Sequence, residues 1–250
     1  MIKMNAYNGS MNLNSYKILI EFFKARNYIF SFFSEPYSLK NIIYLRHDVD
    51  ILVEDAVKLA ELENQIGVKS TYFFLVNTNI YNLSSYKNRN LLNKIISFGH
   101  EIGLHYHQDK NEKKINKDEV KYQISILEKI IEKEISIISF HKPQRYLLNY
   151  DKKISKKNHT YMSKFFSKII YSSDSRGVWK FGAPTKIKDI NKKKSIQLLT
   201  HPEWWNSIKD KQNNREYHLK RIRNVFKEFD KNHLEETLTN YKYKLNKFIK

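Results

Sequence analysis

Four apolar, strand-like runs in this chain each lead into histidine, accompanied by an acid, an amide or a proline. They are 42–50 (IIYLRHDVD), 99–109 (GHEIGLHYHQD), 135–144 (ISIISFHKPQ) and 195–205 (SIQLLTHPEWW), and together they hold six of the nine histidines. Side chains at the carboxyl ends of parallel strands converge on one mouth, so the pattern predicts a metal or acid/base site assembled from distant parts of the chain.

The intervening segments carry helical periodicity. A helix is expected over 15–33, with Tyr16, Leu19, Ile20 and Phe23 on its apolar face. Strands at 42–48, 70–76, 101–106, 136–140, 169–173 and 196–200 alternate with helices at 53–66, at 89–98 and in a long segment ending near 134. Gly67 and Gly99 stand where helix C-caps belong. Residues 215–250 read as a basic helix with Leu219, Ile222, Val225, Phe226 and Phe229 on its apolar stripe. No stretch rich in Pro, Gly or Ser divides the chain, so one domain is expected over 1–250, with its core at about 42–205. Open doubly wound sheet and barrel both fit this βαβ alternation. Polar residues at the ends of nearly every strand favour the barrel, because an open sheet concentrates them at one switch point.

Absence of cysteine removes disulfides and thiolate ligands, so any metal must be held by nitrogen and oxygen. No apolar run approaches the length that spans a bilayer, and the first residues carry no signal-peptide pattern, which predicts a cytoplasmic protein. The net charge of +19 would attract polyanions, but only eight of the 45 basic residues are Arg and the lysines are scattered. No dedicated nucleic-acid site is expected; a basic surface suits a negatively charged substrate or peripheral contact with lipid head groups.

In Arg46-His47-Asp48-Val49-Asp50 the two carboxylates share one face of an extended backbone, where they repel unless a cation lies between them or one is protonated. A structural alternative has Asp50 capping the next helix and Asp48 paired with Arg46 or a lysine. His105 and His107 also share a strand face; if the chain turns helical after His105, Asp109 becomes its neighbour instead. His100 lies at odd separation and is expected to point away, as a structural hydrogen-bonding residue. Two ligands here and one carboxylate from the first run would leave a coordination position for water, as catalytic zinc sites do. Trp204 and Trp205 offer aromatic faces beside the site, with a core position for at least one of them as the alternative, and Arg46 is expected to contact substrate.

The order HDVD, STYFFL, GHEIGLH, SFHKP, LLTH resembles the NodB-homology polysaccharide deacetylases over roughly 42–205. The resemblance implies an α/β fold, a distorted (β/α) barrel of about seven parallel strands, here with extra N- and C-terminal helices. It implies Asp48 as general base, Asp50 and His105 as metal ligands, and His201 as the catalytic histidine buttressed by Asp174. The family's second ligand histidine falls at Asp109, so His107 is taken as third ligand with Asp109 as the alternative. His141 stands where the family keeps an Arg that orients the base, and is expected to orient Asp48 or to ligate the metal.

The implied function is a metal-dependent hydrolase, with Zn²⁺ the expected ion, that removes an N-acetyl or N-formyl group from an amino sugar during surface polysaccharide biosynthesis. Its implied partner is a glycan, a nucleotide-sugar or a lipid-linked sugar. The alternative is a degenerate barrel that binds glycan without cleaving it.

Overall fold

Runs rich in Ile, Leu, Phe and Tyr, separated by amphipathic helices, pair side by side in parallel in this computed structural model. The strands are β1 (Ile29–Ser31), β2 (Ile42–Val49), β3 (Thr71–Phe74), β4 (Glu101–His107), β5 (Ile137–His141), β6 (Asn158–His159), β7 (Ile170–Ser173) and β8 (Ile196–Thr200). The helices are α1 (Leu13–Lys24), α2 (Val53–Gln65), α3 (Tyr86–Ser97), α4 (Lys117–Ile131), α5 (Ser163–Phe166) and α6 (Pro202–Trp205). The structure describes residues 7, 9–108, 114–180, 182–187, 190–192, 194–206 and scattered positions between 219 and 239. Seven strands follow the order β6-β5-β4-β3-β2-β8-β7, and β1 runs parallel beside the start of β2. They curl into a half-barrel with flanking helices, a distorted (β/α) barrel.

The described residues fall into two compact units, 1–211 and 212–250. In the second, every described residue is helical; Val225 and Phe229 of its expected stripe lie outside the described residues. The helix expected over 15–33 ends at Lys24 instead. Asn27 takes a left-handed φ of 60°, which turns the chain out of the helix and into β1. Gly67 and Gly99 occupy left-handed positions just past α2 and α3, where a side chain would be strained.

Alternation along β2 places Tyr44, Arg46 and Asp48 on one face, one above another. Tyr44 lies in an aromatic floor with Phe33, Phe73 and Phe165, packed on Ile137, Met162 and Ile169. Phe33 stacks on Tyr44 with centroids 5.3 Å apart, and Phe165 meets Tyr44 edge-on at 5.2 Å. At Gly103 on β4 an added Cβ would lie 2.5 Å from the Phe73 ring and 3.0 Å from the Ile137 carbonyl, so only glycine lets β4 pass that ring. Above the floor the interior turns polar. Arg46 spans it, donating to Gln197 of β8 at 3.0 Å and to the Ser139 hydroxyl of β5. The carboxyl ends of the strands rise from this layer.

Candidate active site and metal centre

Asp48 ends the inward-facing column of β2, and Arg46 grips it. Arg46 Nε donates to Oδ1 at 2.8 Å and Nη2 to Oδ2 at 2.7 Å, a two-point pairing in a nearly dry interior. Burial by itself would raise the Asp48 pKa; the Arg46 guanidinium more than reverses this, with His105 adding to the effect, and holds it below the ordinary carboxylate range. Arg46 is itself held by Gln197, Ser139 and the Tyr161 hydroxyl at 3.2 Å. Gln197 is fixed in turn by donating to the Thr160 and Phe165 carbonyls at 2.9 and 2.6 Å.

Two residues on, Asp50 meets the histidines of two other strands. Its Oδ1 lies 3.2 Å from His105 Nε2 and 3.3 Å from His141 Nδ1, and those two nitrogens are 3.3 Å apart. Asp50 Oδ1 is buried and no hydrogen bond closes on it. Ligands on a tetrahedral ion with bonds of about 2.0–2.1 Å stand about 3.3 Å from one another, so this triangle has the size of one face of such a shell. A buried carboxylate oxygen facing imidazole nitrogens from two other strands is a donor set that fits a divalent cation. Burial would push the Asp50 pKa up, but the two imidazoles hold it well below the usual range.

His201 follows β8 and is anchored by Asp174, which follows β7. His201 Nδ1 lies 2.6 Å from Asp174 Oδ1, and the His201 backbone N–H reaches both Asp174 oxygens at 3.1 Å. Burial would lower the His201 pKa; the Asp174 charge and hydrogen bond outweigh it and raise it to about 10. The resulting imidazolium is close enough for its charge to lower both Asp48 and Asp50. Beside it, burial raises the Glu203 carboxyl well above its ordinary value.

Several expected roles change in the structure. Arg46, expected at the substrate, is fully buried and committed to Asp48, so it presents nothing to a ligand. His141, expected to orient Asp48 or to ligate the metal, sits on Asp50 and His105; the guanidinium that grips Asp48 comes from Asp48's own strand. His107 pairs in register with His141 and lies outward of the close group, rings 4.9 Å apart, so His141 stands where His107 was expected. Asp109 lies outside the described residues. Trp205 is fully buried and donates to Asp174 Oδ2 at 2.7 Å, which removes it as a stacking platform. Trp204 is 7% exposed, and a Cβ on Gly177 would lie 3.0 Å from its ring, so that loop covers it.

Asp50 does not cap α2, whose N-cap is Leu52. His100 is buried, within 2.9 Å of the Ser70 hydroxyl and 3.0 Å of the Ala60 carbonyl, the structural role expected of it. Sequence reasoning missed Gln197, Ser139 and Tyr161 as supports of Arg46. The first two left a signal, being polar and inward-facing within otherwise apolar strands.

No protein-family model and no curated protein matches the chain. Among solved structures it is similar to a deacetylase of Streptococcus pyogenes determined with acetate, at 14% identity and TM-score 0.44, over 79% of this chain and 84% of that one. It is also similar to the chitin deacetylase of the fungal pathogen Colletotrichum lindemuthianum, at 17% identity and TM-score 0.35; that match covers 42% of this chain and about half, 47%, of the other. A CE4 family pseudoenzyme from Bacillus anthracis matches at 13% identity and TM-score 0.40, over 74% of this chain and 61% of that one.

Proposed function

We propose that the chain is a metal-dependent carbohydrate deacetylase, a hydrolase that cleaves the amide of an N-acetylated or N-formylated amino sugar. One observation carries this reading: Asp50 Oδ1, His105 Nε2 and His141 Nδ1 converge beside an Asp48 held by Arg46 and a His201 held by Asp174. Asp50, His105 and His141 are the residues that would hold the ion. A divalent cation there, Zn²⁺ the expected one, would polarise the amide carbonyl and make its water a nucleophile near neutral pH.

The chain's own residues supply the proton transfers. Asp48 is ionised, and Arg46 takes one lone pair on each oxygen, which leaves the others to accept a proton from water. His201 is protonated and donates to the departing amine nitrogen. Asp174 orients that imidazolium and stabilises its charge, while Trp205 and the His201 backbone fix Asp174. The substrate class is an amino-sugar glycan, nucleotide-sugar or lipid-linked sugar of surface polysaccharide assembly, for which the basic composition suits an anionic carrier. A cytoplasmic location belongs to the same reading; among the described residues no helix is long and apolar enough to cross a membrane.

The test is acetate release from a panel of N-acetylhexosamine glycans and nucleotide-sugars by protein reconstituted with Zn²⁺, Co²⁺ or Ni²⁺, together with its metal content. Release that is lost in Asp48→Asn and His201→Gln supports the reading. No release with any metal, and no change of metal content in Asp50→Ala, overturns it. A second reading, a barrel that binds glycan without cleaving it, is favoured by the engagement of both Asp48 oxygens with Arg46. It predicts glycan binding without stoichiometric metal.

A further inference from the structure

Behind the proposed site, on the opposite face of β2, lies a buried polar network that the reaction above does not use. His47 separates Arg46 from Asp48 in sequence and points the other way, toward the helices. Its Nε2 lies 2.8 Å from Glu63 Oε1 of α2, and its Nδ1 lies 2.7 Å from the Thr200 hydroxyl of β8. Glu63 also accepts from the Ser70 and Tyr72 hydroxyls, both at 2.7 Å, and from the Tyr16 hydroxyl of α1. Ser70 in turn meets His100, and the His47 ring stacks on Tyr72 with centroids 4.3 Å apart. Every one of these residues is buried. Burial would raise the Glu63 pKa, but His47, His100 and the Ser70 hydroxyl hold it down to about 2, so the network contains a carboxylate.

Its position relative to the strand ends gives it a meaning beyond polar satisfaction. His47 and Thr200 are the last register pair of the β2–β8 ladder. The next residue on β2 is Asp48, and the next after β8 is His201. The 2.7 Å contact from His47 to Thr200 therefore ties the two strands one residue before each proton-transfer group. Glu63 anchors that tie to α2. A buried ion network adds little stability over apolar packing of the same volume, because desolvation offsets the attraction. It does impose one geometry, and misplacing a catalytic group by about 1 Å can cost on the order of 100-fold in rate.

We propose that Glu63, His47 and Thr200 are positioning residues that set the separation of Asp48 and His201 by clamping the last rung of the β2–β8 ladder. This rests on the deacetylase reading. The test compares Thr200→Val, which keeps the shape and removes the hydroxyl, with Thr200→Ser, which keeps the hydroxyl, and adds Glu63→Gln. Acetate release, metal content and melting temperature are measured for each.

Thr200→Val and Glu63→Gln are expected to lower kcat by roughly tenfold or more with KM and metal content unchanged, since only transition-state geometry is disturbed. Thr200→Ser is expected to retain kcat near wild type. If wild type is active and Thr200→Val matches its kcat, or if Thr200→Ser falls as far as Thr200→Val, the clamp is refuted while the deacetylase reading stands. Should Glu63→Gln fail to fold, the two Thr200 variants still decide the matter. Inactive wild-type protein removes both proposals.

Discussion

Arg46 reaches forward along its own strand and takes both carboxylate oxygens of Asp48, at 2.8 and 2.7 Å, from a fully buried position. Residues two apart on a strand share a face, so the pair is built into one extended segment and needs no loop to bring it together.

Substitution at Arg46 separates charge from geometry. Arg46→Lys keeps the cation but lacks the planar fork, and is expected to lower kcat by roughly tenfold or more while the protein remains folded. Arg46→Met leaves Asp48 buried without its partner and is expected to destabilise the fold by about 3–5 kcal/mol. Steady-state kinetics and denaturant unfolding read the two effects.

The two histidines of one register pair have different fates. His141→Ala is expected to weaken Zn²⁺ binding by more than about 100-fold, because it removes one corner of the donor triangle. His107→Ala is expected to leave the metal stoichiometry at wild-type level, because its ring lies outward of that group. Elemental analysis after dialysis, with competition against a chelator, distinguishes them. Equal loss of metal in both variants would contradict the assignment of His141.

In the proposed reaction the raised His201 pKa is expected to set the alkaline limit. A group raised from 6.5 to about 10 stabilises the fold fully below pH 6.5, and that contribution is lost as pH rises through about 10. The protonated acid follows the same course, so kcat is expected to hold through neutral pH and fall near pH 10. Removing the anion in Asp174→Asn moves that limb down toward pH 6.5. A pH–rate profile of both proteins checks the shift, and an unmoved limb would show that Asp174 does not hold the charge.

Packing offers a test independent of chemistry. Gly103→Ala would put a methyl group 2.5 Å from the Phe73 ring, and Phe73 is locked in the aromatic floor. Overpacking of this kind is expected to cost about 1–3 kcal/mol. Chemical denaturation measures it, and a change within error would mean that the floor yields.

Much of the barrel is legible without coordinates. Apolar runs punctuated by Gly67 and Gly99 mark strands and helices, because local periodicity and helix-ending glycines act over a few residues. The inward column of β2 and the outward turn of His100 follow from the same period of two. The short strands β1 and β6 escaped, since three and two residues carry no readable period.

Sequence alone determined which residues face together on each strand, and thus that acids and imidazoles would gather at one end of the sheet. Which of them meet was decided by tertiary structure. Pairing of β4 with β5 put His141 in register with His107, yet the His141 side chain turns to His105, with Nδ1 3.3 Å from Nε2. The curl of the sheet brought Ser139 and Gln197 to Arg46, and the loop after β7 covered Trp204. Spacing along a chain defines a direction, whereas a contact requires the register and distance between strands far apart in sequence, which only the packed barrel supplies.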